Sequence, residues 1–576
     1  MNTSKTLSDD RIKDMILAAR GDQKADLVLK NAKIVNVFTK ELESGDVAIK
    51  DGYIVGIGEY EGNEEIDIEG RIICPGLIDG HIHIESSMIA PSEFAKAVAP
   101  HGTTAVIADP HEIANVAGED GIRFMIEASS GLPVDIFFML PSCVPATPLD
   151  ESGAELGAAE LESFYGEERV LGLAEMMNSY GTVRADEEII RKIQGANRAD
   201  KKVDGHAPFL SGKDLNAYVT AGVESDHECS DANEAIEKLS RGQYIMIREG
   251  TAARNLEALL PLFDDRYCDR CMLVTDDKHG SDLIDNGHID YIIRKAIKAG
   301  RSPFNAIRMA TLNAATYFGL KGRGAVAPGY IADLIVVSDL EDFTVEKVFK
   351  NGVLTVDGGS LAADVKAPSI DEQKYSRVYH SFNMQEIKPS DLEVKDQGTK
   401  KRVIKVIPGQ ILTEEVIVDA SFEDGINKLA VIERHKNSGH IGVGYVTGYG
   451  LKKGAIASSV AHDSHNLIVA GTNDEDMALA ANTVRANEGG LAVVLDGKVL
   501  SSLPLPIAGL MCGKDAGEVE EILSLMKDQA RQLGVPEGID PFMTLAFTAL
   551  PVIPKLRLLT QGVIDVDKQC YVPVLF

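Results

Sequence analysis

The sequence predicts an α/β protein. Its parts are a TIM-like (β/α)8 barrel over residues 76–320, a small composite β-sandwich domain drawn from both flanks of that block, and a C-terminal α+β domain. Three observations predict this. Short apolar runs alternate with helix-like stretches through the central block, the texture of a parallel sheet covered by helices. Eight such runs can be counted, the number that closes a barrel of ordinary length. Strand-like segments of one kind stand on both sides of the block, around residues 27–50 and 332–352.

The elements follow in chain order. Asp9 to Arg20 reads as a short helix, so residues 1–22 form an N-terminal helical segment. Leu27–Lys30, Ala32–Val37 and Asp46–Lys50 read as strands, with a turn at Asp51-Gly52. Ala332–Val337 and Lys347–Gly352 repeat that texture. Residues 23–75 and 321–360 are therefore assigned to one composite β-domain, the alternative being two unrelated β segments.

The barrel runs are Leu77–His83, Thr104–Asp109, Val134–Leu140, Val170–Glu175, Val203–His206, Val223–His227, Tyr244–Glu249 and Met272–Asp276. Residues 361–400 are polar and patternless and are expected to be a linker. Residues 401–576 mix strands with helices such as Glu518–Leu533.

Composition narrows the function. Formal net charge is -30, which repels nucleic acid and anionic membranes, so neither is expected as a partner. No apolar run approaches the ~18 residues of a membrane span. The first ten residues carry no secretory pattern, so a cytoplasmic location is expected. The seven cysteines are scattered and make no disulfide framework. Cys268-Asp-Arg-Cys271 lacks a second pair and is read as coincidence rather than a zinc site.

The chemistry sits at the ends of the runs. In such barrels the C-terminal ends of the strands carry the active site. Here they read His81/His83, Asp109, Glu175, His206, His227, Arg248/Glu249 and Asp276; only the third run, ending Leu140-Pro-Ser, lacks a clear ligand. Residues two apart on a strand face one side, so His81 and His83 can reach one metal ion together. Glu175 is placed to bridge two cations. His206 and His227 each add an imidazole. Asp276 can ligate and take the proton of bound water, in preference to the adjacent Asp277. The set predicts a metal-dependent hydrolase.

Asp109, His111, Arg248 and Asp277 are candidates for holding substrate. A ring-protonating acid is also needed, and Glu85 and Glu249 are both open for that role. His462 and His465 in the C-terminal domain remain unassigned between a polar loop and a functional site.

His81-x-His83, the acid Glu175 at the fourth run, His206, His227 and Asp276 together resemble the amidohydrolase superfamily. More narrowly, the chain resembles the bacterial adenine deaminase family over nearly its whole length. The motifs are His81-Ile-His-Ile-Glu-Ser-Ser87, Ala108-Asp-Pro-His-Glu-Ile113, Ser225-Asp-His-Glu228, Val274-Thr-Asp-Asp277 and Ser458-Ser-Val-Ala-His-Asp-Ser-His-Asn466. The resemblance implies conversion of adenine to hypoxanthine and ammonia in purine metabolism. It also implies two divalent ions, manganese or iron with zinc as the alternative, and a homodimer. Many superfamily members carry a carboxylated lysine at the fourth strand; Glu175 here argues against the hydantoinase and dihydroorotase branches. A different zinc deaminase class uses His-x-Glu with Pro-Cys-x-x-Cys. His83-Ile-Glu85 and Cys268/Cys271 mimic its parts, but they lie far apart and Tyr267 replaces the proline.

Overall fold

A computed structural model describes residues 7–251, 253–408, 410 and 412–576. The barrel strands are β1 (Leu77–His83), β2 (Thr103–Ala108), β3 (Asp135–Leu140), β4 (Val170–Met176), β5 (Lys202–Gly205), β6 (Ser225–Asp226), β7 (Tyr244–Arg248) and β8 (Cys271–Val274). β1 to β5 form one parallel ladder and β6 to β8 a second. Just beyond β8, Asp276 and Asp277 pair in parallel with Ile82 and His83, which joins the last strand to the first. Between β5 and β6 the joint is thin: Glu224 N donates to Val203 O at 2.9 Å. A Cβ on Gly205 would lie 2.3 Å from Ser225 O, so only glycine lets these strands approach. Ile78, Ala105, Phe137, Met139, Met246 and Met272 fill the interior below the mouth, and Tyr317 and Phe318 extend that cluster. The barrel is a packed core with its polar residues raised to one end.

The two flanks meet in one sheet. Leu334–Val337 pairs antiparallel with Ile72–Pro75, in register Leu334↔Pro75. The full ladder has nine strands and bends back on itself: Ile54 N donates to Tyr330 O, and Ala332 N to Gly52 O. Its own core holds Leu29, Ile34, Val47, Ile73, Val336 and Phe349. The N-terminal helix spans Asp9–Ala19, capped by Ser8, and packs Met15 and Ala18 against this sheet.

A buried ion-pair cluster fastens sheet to barrel. Asp135, opening β3, lies 2.6 Å from Arg323 and 2.7 Å from Lys350, and both cations also pair with Asp333. Burial pushes the Asp135 carboxyl up, but Lys350 and Arg323 outweigh it and hold it well below the usual carboxylate range. Removing one partner of a buried pair strands the others, so Arg323→Met is expected to cost about 3 kcal/mol at neutral pH. A depressed carboxyl stabilises the fold above its unfolded value of ~3.9, and that contribution fades as pH falls through the folded value. Chemical denaturation should therefore show the gap between variant and parent at pH 7, narrowing below pH ~4.

Residues 400–576 build an eight-stranded sheet and a three-stranded one. Helix Asp474–Ala486 packs on the larger sheet through Met477, Ala481 and Val484. This domain sits against the barrel mouth. Cys512 pairs with Ile89 just after β1, Met543 Sδ lies 3.0 Å from His279 Nε2 just after β8, and Asn466 Nδ2 donates to Glu151 O at 2.6 Å.

Residues 361–400 differ from the expected linker. Tyr375, Val378, Met384, Ile387 and Leu392 are buried. Tyr375 sets its ring 5.6 Å from Phe124 and donates to Glu127 at 2.6 Å, while Ile387 N donates to Asn482 Oδ1 at 2.9 Å. The segment is a strap laid over both domains. Its anchors fall at irregular spacing, so no periodicity announces them. Among the described residues no helix is long and apolar enough to cross a membrane.

Candidate metal centre

The site is built from the strand ends upward. The β1–β2 ladder slips between Asp79 and Ile82. Such a bulge changes which residues face inward. Ile78, below the slip, packs into the apolar interior, and His81 and His83, above it, face the mouth with rings 4.8 Å apart. Asp79 secures the turn: its carboxylate accepts the backbone N–H of His81 at 3.2 Å and of Thr275 at 3.1 Å, and meets His288 Nε2 at 3.0 Å. One buried acid thus ties β1 to the residue before Asp276. Asp276 itself adopts φ 59°, a left-handed conformation sparsely populated outside glycine and found at functional sites.

His81, His83, Glu175, His206, His227 and Asp276 converge. His83 Nε2 lies 3.1 Å from Asp276 Oδ1 and 3.4 Å from Glu175 Oε1, and His81 Nε2 lies 3.9 Å from Asp276 Oδ1. On the other side, Glu175 Oε2 lies 2.7 Å from His206 Nδ1 and 3.1 Å from His227 Nε2. The two oxygens of Glu175 therefore face different imidazoles, Oε1 that of His83 and Oε2 those of His206 and His227. All but His206 are buried.

This donor set fits a metal. His83 Nδ1 lies 3.1 Å from the carbonyl oxygen of Asp109, which only accepts, so Nδ1 carries a proton and Nε2 presents its lone pair in the neutral ring. That lone pair is aimed at two carboxylate oxygens, an arrangement that requires a proton or cation between them. His206 Nδ1 and His227 Nε2 approach to 3.3 Å beside the same kind of oxygen. His81 Nε2 is buried without a hydrogen-bond partner. Burial, with His227 and His83 nearby, holds the His81 imidazole well below its usual pKa, the neutral state a ligand needs. Burial opposes charge on His83 too, but Asp276, Asp277 and Glu175 hold its pKa well above the usual value.

The remaining sequence candidates divide. His111 joins the cluster, with Nδ1 3.1 Å from Asp109 Oδ2 and 3.5 Å from Glu175 Oε1. Asp277 stands at the rim and accepts from the Ser86 hydroxyl. Arg248 enters the site, but its guanidinium is engaged: it holds Asp276 Oδ2 at 2.7 Å and both oxygens of Glu228. It positions Asp276 rather than standing open to substrate. Against burial, His83 and Arg248 keep the Asp276 carboxyl well below its usual range.

Glu85, on the turn after β1, accepts from Ile113 N at 3.2 Å through one oxygen and leaves the other buried and unpartnered. Burial pushes its carboxyl up to about 7. Glu249 is not brought to the centre. It pairs with Lys295 at 2.7 Å and accepts from Leu256 N, on the helical side of β7. Its neighbour Arg248 faces inward, so alternation along the strand turns Glu249 out.

Sequence reasoning did not assign Glu228, which lies 3.3 Å from His227 Nε2 and 3.4 Å from His206 Nδ1. Nor did it assign Glu112, which links the barrel to the C-terminal domain. Both acids directly follow a candidate histidine, and that adjacency is the signal available. Cys268 and Cys271 are buried thiols packed beside Lys40 and Tyr267, and the barrel centre uses neither.

A barrel of this topology with histidine and carboxylate side chains gathered at its strand ends defines a metal-dependent amidohydrolase. In agreement, the amidohydrolase family model matches residues 72–355, and the model of the adenine deaminase C-terminal domain matches residues 403–570. The chain is 50% identical over 572 residues to adenine deaminase 2 of Carboxydothermus hydrogenoformans, covering 98% of this chain and 99% of that one. It is 48% identical to the adenine deaminases of Desulfatibacillum aliphaticivorans and Geobacillus kaustophilus, in each case over 97% of this chain and 98% of the relative. The chain belongs to the adenine deaminase family.

Proposed function

We propose that this protein converts adenine and water to hypoxanthine and ammonia, using two divalent cations held by His81, His83, Asp276, His206 and His227, with Glu175 between them. The observation that carries the two-ion reading is that Glu175 Oε1 lies 3.4 Å from His83 Nε2, while its Oε2 lies 2.7 Å from His206 Nδ1 and 3.1 Å from His227 Nε2, so its two oxygens face different imidazoles. Imidazole and carboxylate donors without thiolate suit manganese or ferrous iron, with zinc as the alternative. Cations bound there supply an attacking water whose pKa is lowered toward ~7.

The protein's own groups move the protons. Asp276 takes the proton of the attacking water, and Arg248 and His83 keep its carboxylate aimed. Glu85, buried and protonated near neutral pH, donates to the ring nitrogen beside the carbon under attack, so that negative charge does not accumulate on the ring. Asp276 then returns its proton to the departing amino group, ammonia leaves, and the hydroxyl proton on the ring carbon passes back to Glu85 as the carbonyl of hypoxanthine forms. The free cysteines fit a reducing compartment, and we place the enzyme in the cytoplasm.

The direct test is ammonia release by metal-replete protein from adenine, guanine, cytosine, hydantoin and dihydroorotate. Adenine should exceed every competitor in kcat/KM by about 100-fold or more, the scale set by unpaired polar groups in a mismatched site. Preference for another ring would replace adenine as substrate and leave the barrel chemistry standing.

A further inference from the structure

One buried cluster joins the two domains and takes no part in the proton steps above. Glu112 lies on helix His111–Ala117, just after β2. Its carboxylate is met from the other domain by His462 Nδ1 at 2.8 Å and by His465 Nε2 at closer range. From its own chain neighbour it is met by His111 Nε2 at 3.3 Å. All four side chains are at least nine-tenths buried.

Glu112, His462 and His465 stand close enough to hold an ion of their own. The protons argue against it. Ala461 N donates to His465 Nδ1 at 3.1 Å, so that nitrogen is an acceptor and Nε2 bears the hydrogen. His465 therefore donates to Glu112 and has no lone pair to offer there. Both Glu112 oxygens face imidazole nitrogens, Oε1 those of His462 and His111 and Oε2 that of His465, so Glu112 is the acceptor among them. A proton on His111 Nε2 then leaves Nδ1 of the neutral ring as a lone pair, directed at Asp109 Oδ2 and Glu175 Oε1. With an ion at the centre this would be the carboxylate–histidine–metal arrangement, in which an outer acid fixes the tautomer and aim of an imidazole.

We propose that Glu112 is a positioning residue that turns His111 Nδ1 toward the metal centre, and that His462 and His465 of the C-terminal domain hold Glu112 in place. The C-terminal domain is then a structural part of the active site. The loop that carries the clamp is itself secured: Ser459 donates to Gly509 O at 2.6 Å, His435 Nε2 meets Ser464 O at 2.8 Å, and Arg434 donates to His465 O. The inference rests on the metal-centre reading, and metal retention tests it without substrate.

The experiment uses full-length protein loaded with manganese and titrated with a chelator, followed by adenine kinetics on the same samples. Glu112→Gln is isosteric and sets an amide NH2 against an imidazole N–H. His465→Ala removes the donor. Both should release metal at 10- to 100-fold lower chelator concentration and lose 10- to 100-fold in kcat, with KM for adenine changed less than about threefold. His465→Gln keeps an N–H donor and should recover most of the loss, which general destabilisation would not. Where His465→Ala does not fold, Glu112→Gln carries the test. Parental metal retention and kcat in Glu112→Gln overturn the proposal. So does a third metal equivalent in the parent that His465→Ala alone removes, since that makes the cluster a cation site. Absence of adenine turnover with metal release altered as described faults the substrate reading and leaves the clamp intact.

Discussion

Asp276→Asn should retain its metal and lose about 10³–10⁴-fold in kcat, the scale of a missing general base combined with loss of the proton's return path. Asparagine keeps an oxygen for the cation and a shape that Arg248 and His83 still enclose, so the centre survives. It cannot take the proton of water. Elemental analysis and kcat on one sample separate the two effects. Asp276 lies at φ 59° against β1, its backbone fixed by the ladder to Ile82 and its side chain by Arg248 at 2.7 Å. Such fixing lets a side-chain exchange be read as chemistry rather than rearrangement. Turnover like the parent's would remove Asp276 from the mechanism.

Glu175→Gln should have the opposite signature. An amide offers one acceptor oxygen in place of two, so one side of Glu175 loses the carboxylate oxygen that faces its imidazoles. Metal content is expected to fall from about two ions per chain to about one. Activity should fall on the order of 10³-fold or more, because several kcal/mol of stabilisation at the developing charge goes with the lost ion. Retention of two ions and of turnover would show that Glu175 does not bridge.

Much of this was legible in the sequence. His-x-His at the end of an apolar run, and a ligand type at the end of nearly every later run, pointed to side chains that do converge, because strand ends cluster in a closed barrel. The composite sheet was legible from like-textured flanks. What escaped depends on contacts or parity that local pattern does not report. Glu249 ends its run as the ligands do, yet alternation after Arg248 turns it to Lys295. Glu228 follows a strand only two residues long, Ser225–Asp226, where parity gives no guide. The strap over residues 361–400 hides its anchors among polar neighbours. Glu112 meets His462 across 350 positions, a distance no motif spans. His462 and His465 stood out by residue type, but their partner lay in the other domain.

The central claim is that two ions in one grip of imidazoles and carboxylates make the water reactive. Apoprotein titrated with manganese, with ammonia release from adenine read at each addition, tests it most directly. Turnover should be absent at the start and should rise to a plateau at about two equivalents per chain. Full turnover in metal-free protein, or a plateau at one equivalent that a second does not raise, would contradict it.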